Sequence, residues 1–172
     1  SYRILAWIDA VAEINRTSKE KIKVRFVGEI AGKYKEQLVS SLGEEWVDFI
    51  SPVSHYKAID YMFRSHILLL VIPDAAHNEA IVTGKIFEYI ATKIPILGIG
   101  PVHGDAAAIL AGSNSGRMFD YGDRTEILDF IIGVLNKDPR WNFNSDPEKK
   151  AIYSRKNLTG KFAELLRLGG KN

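Results

Sequence analysis

Apolar positions along this chain switch repeatedly between helical spacing and strand spacing, and the switches predict an order of elements. Ile4, Leu5, Ile8, Val11, Ala12 and Ile14 keep helical spacing, so the sequence enters a helix at once, and the strand expected to precede it is missing. Ile22 to Gly28 alternates and is β-branched, which predicts a strand stopped at a glycine. Tyr34, Leu38 and Leu42 mark a helix closed by Gly43, and Trp46 to Ile50 is a second short strand broken by Ser51-Pro52. Ser54 is placed to cap a helix whose apolar stripe is Ala58, Ile59, Met62 and Phe63. Ile67 to Ile72 and Ile94 to Ile99 are continuous apolar runs, the pattern of central parallel strands covered on both faces. Between them lie a loop from Pro73 to Thr83 and a helix from Gly84 to Thr92.

The second half keeps the alternation. Asp105 is expected to cap a helix from Ala106 to Ala111, Arg117 to Phe119 is a brief strand, and Asp123-Arg124-Thr125-Glu126 resembles a capping box before Ile127 to Leu135. A loop rich in Pro, Asn and Trp leads to Asp146-Pro147 and a last helix that ends before Gly169-Gly170. Strands and helices alternating in this way predict an α/β fold: a Rossmann-like, doubly wound parallel sheet with helices on both faces. Ligands in such sheets bind at the carboxyl ends of the strands, here Gly28, Ser51 to Ser54, Pro73 to Asn78 and Gly98 to Gly104.

With 172 residues and 46% apolar content, the sequence fits a single domain over 1–172. The absence of cysteine excludes disulfides and thiolate metal sites and fits a cytoplasmic setting. The longest apolar run is too short to cross a bilayer, no stretch reads as a secretory signal, and the start within a helix suggests a piece of a longer protein. A net charge of +2 gives no argument for nucleic acid. The basic excess is terminal: residues 147 to 172 hold seven Lys or Arg against two acids. A solvated helix face is the plainer explanation; contact with anionic headgroups at the cytoplasmic face of the membrane is the functional one.

The segment Thr83-Gly84-Lys85-Ile86-Phe87-Glu88 sets a lone acid in the first turn of a helix between two apolar strands. Helix starts present unpaired N–H groups and partial positive charge, so a phosphate arriving at Gly84 and Lys85 meets donors, a dipole and an ammonium together. Glu88 stands about one turn in, on the same side, able to accept from sugar hydroxyls. The alternatives are an exposed helix acid for Glu88 and a solvated lysine for Lys85. In the preceding loop, His77, Asn78, Glu79 and Thr83 can hydrogen-bond a sugar, against plain loop polarity. His55, His66, His77 and His103 lack metal-ligand spacing, so no metal is expected.

On these residues the chain resembles the C-terminal, nucleotide-sugar-binding half of a GT-B glycosyltransferase, of the large retaining group 1 or family 4 type. Phe26-Val27-Gly28 looks like that family's second strand, and Val47 to Val53 like the strand and turn facing the nucleobase. Gly84 to Ala91 with Pro95-Ile96-Leu97 is similar to the helix carrying the ribose-binding acid. The resemblance implies a retaining hexosyltransferase that uses a nucleotide diphosphate sugar without metal or other cofactor and makes cell-surface glycans. It implies a nucleotide contact for Glu88, Lys85, Gly84, Val53, Ser54 and Gly28, and a donor-sugar contact for His77, Asn78, Glu79 and Thr83. It departs in one place: the family's first acid precedes the second by seven intervening residues, and Ala80 occupies that position. Either the loop carries an insertion, or the chain belongs to a branch without the first acid. The family's phosphate-gripping Arg and Lys, and its acceptor-binding N-terminal domain, lie outside this sequence, so the chain alone is expected to transfer no sugar. Two other functions compete. A nucleotide-sugar epimerase half would need an acid and a base at the donor loop, for which His77 and Glu79 are the candidates. A non-catalytic interaction domain needs neither.

Overall fold

The periodicities resolve into five short parallel strands and six helices in the computed structural model, which describes residues 3–143. In order these are α1 (Leu5–Thr17), β1 (Val24–Val27), α2 (Gly32–Leu42), β2 (Val47–Ile50), α3 (His55–Phe63), β3 (Leu68–Val71), α4 (Lys85–Thr92), β4 (Ile96–Ile99), α5 (Asp105–Gly112), β5 (Gly116–Phe119) and α6 (Arg124–Leu135). Single 3-10 turns occupy Glu44–Trp46, Asn78–Ala80 and Pro139–Trp141. The helix expected from Asp146 lies outside the described residues.

The α/β class and parallel, Rossmann-like strand arrangement are as expected, with one difference. The strands form two sheets, β1-β2 and β3-β4-β5, where one continuous sheet was predicted. Pairing is parallel throughout, with Val24 opposite Val47, Leu68 opposite Ile96 and Ile96 opposite Gly116. Periodicity fixes a strand's faces but not its neighbours, which is why the division was not foreseen.

Alternate side chains build two cores. Val24, Phe26, Val47, Phe49, Leu69, Val71, Leu97, Ile99 and Phe119 meet α1, α2 and α6 on one face. Leu68, Leu70, Ile72, Ile96 and Met118 meet α4 and α5 on the other. Both sheets therefore share one apolar layer, with α1 packed between α2 and α6. Ile96, Leu97 and Ile99 are wholly buried, each worth about 1.5–3 kcal/mol of transfer free energy.

Several boundaries moved for local reasons. Trp46 belongs to a 3-10 turn, so β2 starts one residue later than expected. Asp105 is the first helical residue of α5 and Gly104 takes the N-cap, so the predicted carboxylate cap is absent. Asp123 occupies the N-cap of α6, but its carboxylate accepts from the Asp120 N–H at 2.8 Å instead of capping the helix. Ser54 does cap α3, its Oγ accepting from the Lys57 N–H at 3.5 Å.

Candidate functional site

Parallel strands leave their carboxyl ends on one rim, and α4 begins there, after the loop that leaves β3. Gly84 takes the N-cap of α4 with helical dihedrals (φ −58, ψ −25) and no side-chain cap. The first turn closes through an Ile86 N–H donating to the Thr83 carbonyl at 3.2 Å. Lys85 is exposed and Glu88 half-buried within that turn. Thr83 Oγ1 beside it is buried and has no hydrogen-bond partner among the described residues. Such a hydroxyl is costly unless something arrives to bond it. Next to Glu88, burial pushes the Tyr89 hydroxyl above its usual range, and the Glu88 charge adds to the shift.

The loop from 73 to 83 is held by a small polar network. Asn78 Nδ2 donates to the Pro73 carbonyl at 3.2 Å and to the Tyr121 hydroxyl at 3.0 Å. That hydroxyl donates to the Ile72 carbonyl at 2.9 Å. Burial raises the Tyr121 pKa, partly opposed by the bond from Asn78. The Arg3 guanidinium lies 5.3 Å from the centre of the Tyr121 ring and 3.3 Å from the Asp74 carboxylate, tying the entrance of α1 to the same rim. His77 is exposed in the left-handed region at φ 57. Glu79 is exposed, and its backbone presses on the next loop: a Cβ on Gly104 would lie 2.8 Å from the Glu79 carbonyl oxygen.

Predicted residues therefore fall into two groups. Thr83, Gly84, Lys85 and Glu88 lie at the start of α4, and His77, Asn78 and Glu79 lie on the loop between β3 and α4, with Asn78 bonded to Tyr121 and Glu79 set against Gly104. Asn78 has its amide donors engaged in holding the loop. Gly28, Val53 and Ser54 stand at the ends of β1 and β2 on the other sheet. Gly28 adopts φ 116 while donating its N–H to the Ile50 carbonyl at 2.9 Å, a conformation that favours glycine. Ser54 spends its hydroxyl on the α3 cap.

Tyr121 and Arg3 were missed, whereas Asp74 and Gly104 fall within the strand-end ranges without having been singled out. The strand-end rule reaches Tyr121, two residues past β5, once that short strand is treated like the others; Arg3 carries no local signal. A separate open hollow of ≈ 440 Å³, lined by Val102, Ala107, Arg117 and Glu126 among others, contains none of the predicted residues. Among the described residues, no cluster of His, Asp and Glu could hold a metal ion, and no helix is long and apolar enough to cross a membrane. No protein-family model and no curated protein matches the chain.

Proposed function

We propose that the chain is the nucleotide-sugar-binding domain of a retaining GT-B glycosyltransferase, one Rossmann-like half of an enzyme that moves a hexose to a cell-surface glycan or lipid-linked acceptor. The observation that carries the reading is the start of α4. An uncapped helix N-terminus, the exposed Lys85 ammonium, the Glu88 carboxylate and the buried hydroxyl of Thr83 come together at the start of the helix that follows β3. Backbone donors and Lys85 suit a diphosphate, and Glu88 suits the paired hydroxyls of a ribose. His77 and Glu79, exposed on the loop above, are the donor-sugar contacts in this reading. Gly28, Val53 and Ser54 line the base side. The acceptor domain and the phosphate-gripping cations come from elsewhere, so this chain supplies recognition and little chemistry. It works without metal, at the cytoplasmic side, and contact of its basic 147–172 segment with anionic lipid would place it near a membrane-bound acceptor.

Titrating UDP, GDP and ADP against the chain, followed by amide shifts, tests this directly. At least one should bind, and Glu88→Ala should weaken it by about 10- to 100-fold, the worth of hydrogen bonds to a charged group. Silence from all three would remove the donor-domain reading in favour of an interaction domain. Binding indifferent to Glu88→Ala would remove the ribose assignment alone.

A further inference from the structure

The strand β5 forms one outer edge of the three-stranded sheet. In a parallel strand the N–H and C=O of any one residue point to the same neighbour, and alternate residues point to opposite sides. The Ile96 and Gly100 N–H groups reach the Ser115 and Phe119 carbonyls, both at 2.9 Å, so Arg117 also faces β4, and Gly116 and Met118 face away from it. The outward-facing series is closed off at both ends. Asn114 donates its N–H to the Ala111 carbonyl at 3.1 Å, and Asp120 donates its N–H to the Asp123 carboxylate at 2.8 Å. Between them, the Gly116 and Met118 backbones have no hydrogen-bond partner among the described residues, although both residues are buried. Buried backbone groups are paired almost without exception, so these four mark a place where something bonds.

Both residues open onto the hollow that lies apart from the Glu88 site. It straddles the sheet edge. One wall is α5, small and apolar at Ala107 and Ala111, and the other is the start of α6 with Asp123 and Glu126. A Cβ at Gly116 would run into the Ile96 backbone, so no side chain can stand there to shield the edge. The charges on the α6 side are unbalanced. Glu126 is exposed and in no ion pair among the described residues, and Asp123 spends one oxygen on the Asp120 N–H. Arg117, the cation beside them, lies 5.5 Å from the centres of the Phe119 and Trp141 rings.

We propose that the β5 edge takes up an extended peptide of a partner protein in which small apolar residues alternate with Lys or Arg. Its backbone pairs with Gly116 and Met118 about 4.8 Å from β5, as an added strand of the sheet. Its apolar side chains lie against Ala107 and Ala111, and its cations face Glu126 and Asp123. The period of two that separates side chains in a strand thereby matches the two unlike walls. The hollow contains none of the residues assigned to the nucleotide, so this surface stands or falls without one.

Amide hydrogen exchange on residues 1–172 tests it with the end-blocked probe Gly-Ser-Lys-Val-Lys-Val-Lys-Ser-Gly. At about ten times its Kd the probe should slow the Gly116 and Met118 amides about 10-fold and leave Phe49, on the other sheet, unchanged. A probe N-methylated at its three central residues should lose the effect, because it cannot pair. Replacing its Lys residues by Glu should weaken binding about 10-fold, and Glu126→Lys should narrow or reverse that preference. Silence from the Lys probe, or equal binding of the N-methylated or Glu probe, would overturn the proposal. So would a preference untouched by Glu126→Lys. Gly116 and Met118 amides already as slow as Arg117 and Phe119 without any probe would also overturn it, since residues 144–172 or a second copy would then fill the edge.

Discussion

The two sheets solve the same burial problem differently. In β3-β4-β5 both faces are covered by helices, and β4 is apolar and buried at all four positions. In β1-β2 one face joins the core and the other carries Arg25 and Asp48 side by side, with Lys23 and Arg25 bonding the Asp48 carboxylate at 2.9 and 2.8 Å. Arg25 also lies 5.2 Å from the Tyr61 ring centre of α3. The first sheet is held by area removed from water and the second by area on one side and charge on the other, so the two should fail under different conditions.

The contrast breaks most sharply with cavities. Leu97→Ala in β4 should cost about 3–4 kcal/mol and Phe49→Ala in half-buried β2 about half as much, compared by urea midpoints at constant slope. Equal losses would mean that β1-β2 is as well covered as its larger neighbour. Next in size, Tyr121→Phe removes the hydroxyl that serves the Ile72 carbonyl and Asn78, and should cost about 1–2 kcal/mol with faster amide exchange in the 73–83 loop. Unchanged exchange there would show that the loop is held by Asn78 and Pro73 without it. Smallest, Asp48→Asn should cost about 0.5 kcal/mol near neutral pH. Hydrogen bonds from Lys23 and then Arg25 hold the Asp48 carboxyl below its usual value. A depressed folded-state pKa stabilises above the unfolded pKa and loses that contribution as pH falls through the folded value, so the difference between the two proteins should close below about pH 4. It should also shrink in concentrated salt. A gap that persists in acid would assign the effect to packing.

What the sequence revealed tracks which interactions are local. The continuous runs at Ile67–Ile72 and Ile94–Ile99 announced doubly covered strands because burial on both faces leaves no polar position, and β3 and β4 lie within them. Gly43 was readable as a helix stop because φ 92 favours glycine. The start of α4 was legible from Gly84 and Glu88 alone. Contacts between distant residues were not: Asn78 and Tyr121 are 43 positions apart, and nothing near either announces the pair. The Pro139–Trp141 turn was expected as plain loop, yet Trp141 packs against Gly133 and lies 5.2 Å from the Phe130 ring, centre to centre. That insertion depends on a helical glycine leaving room, which periodicity treats only as a weak position.

The contact between Gly104 and the Glu79 backbone constrains how this rim can diversify. Any side chain at position 104 would have to displace main chain at Glu79, and lengthening the 73–83 loop there would pull the same two segments apart. Exposed positions on either side of the contact, His77, Val102 and His103, face no such restriction. Across a lineage, variation at this rim should therefore accumulate in side-chain identity while loop length and the glycine stay fixed.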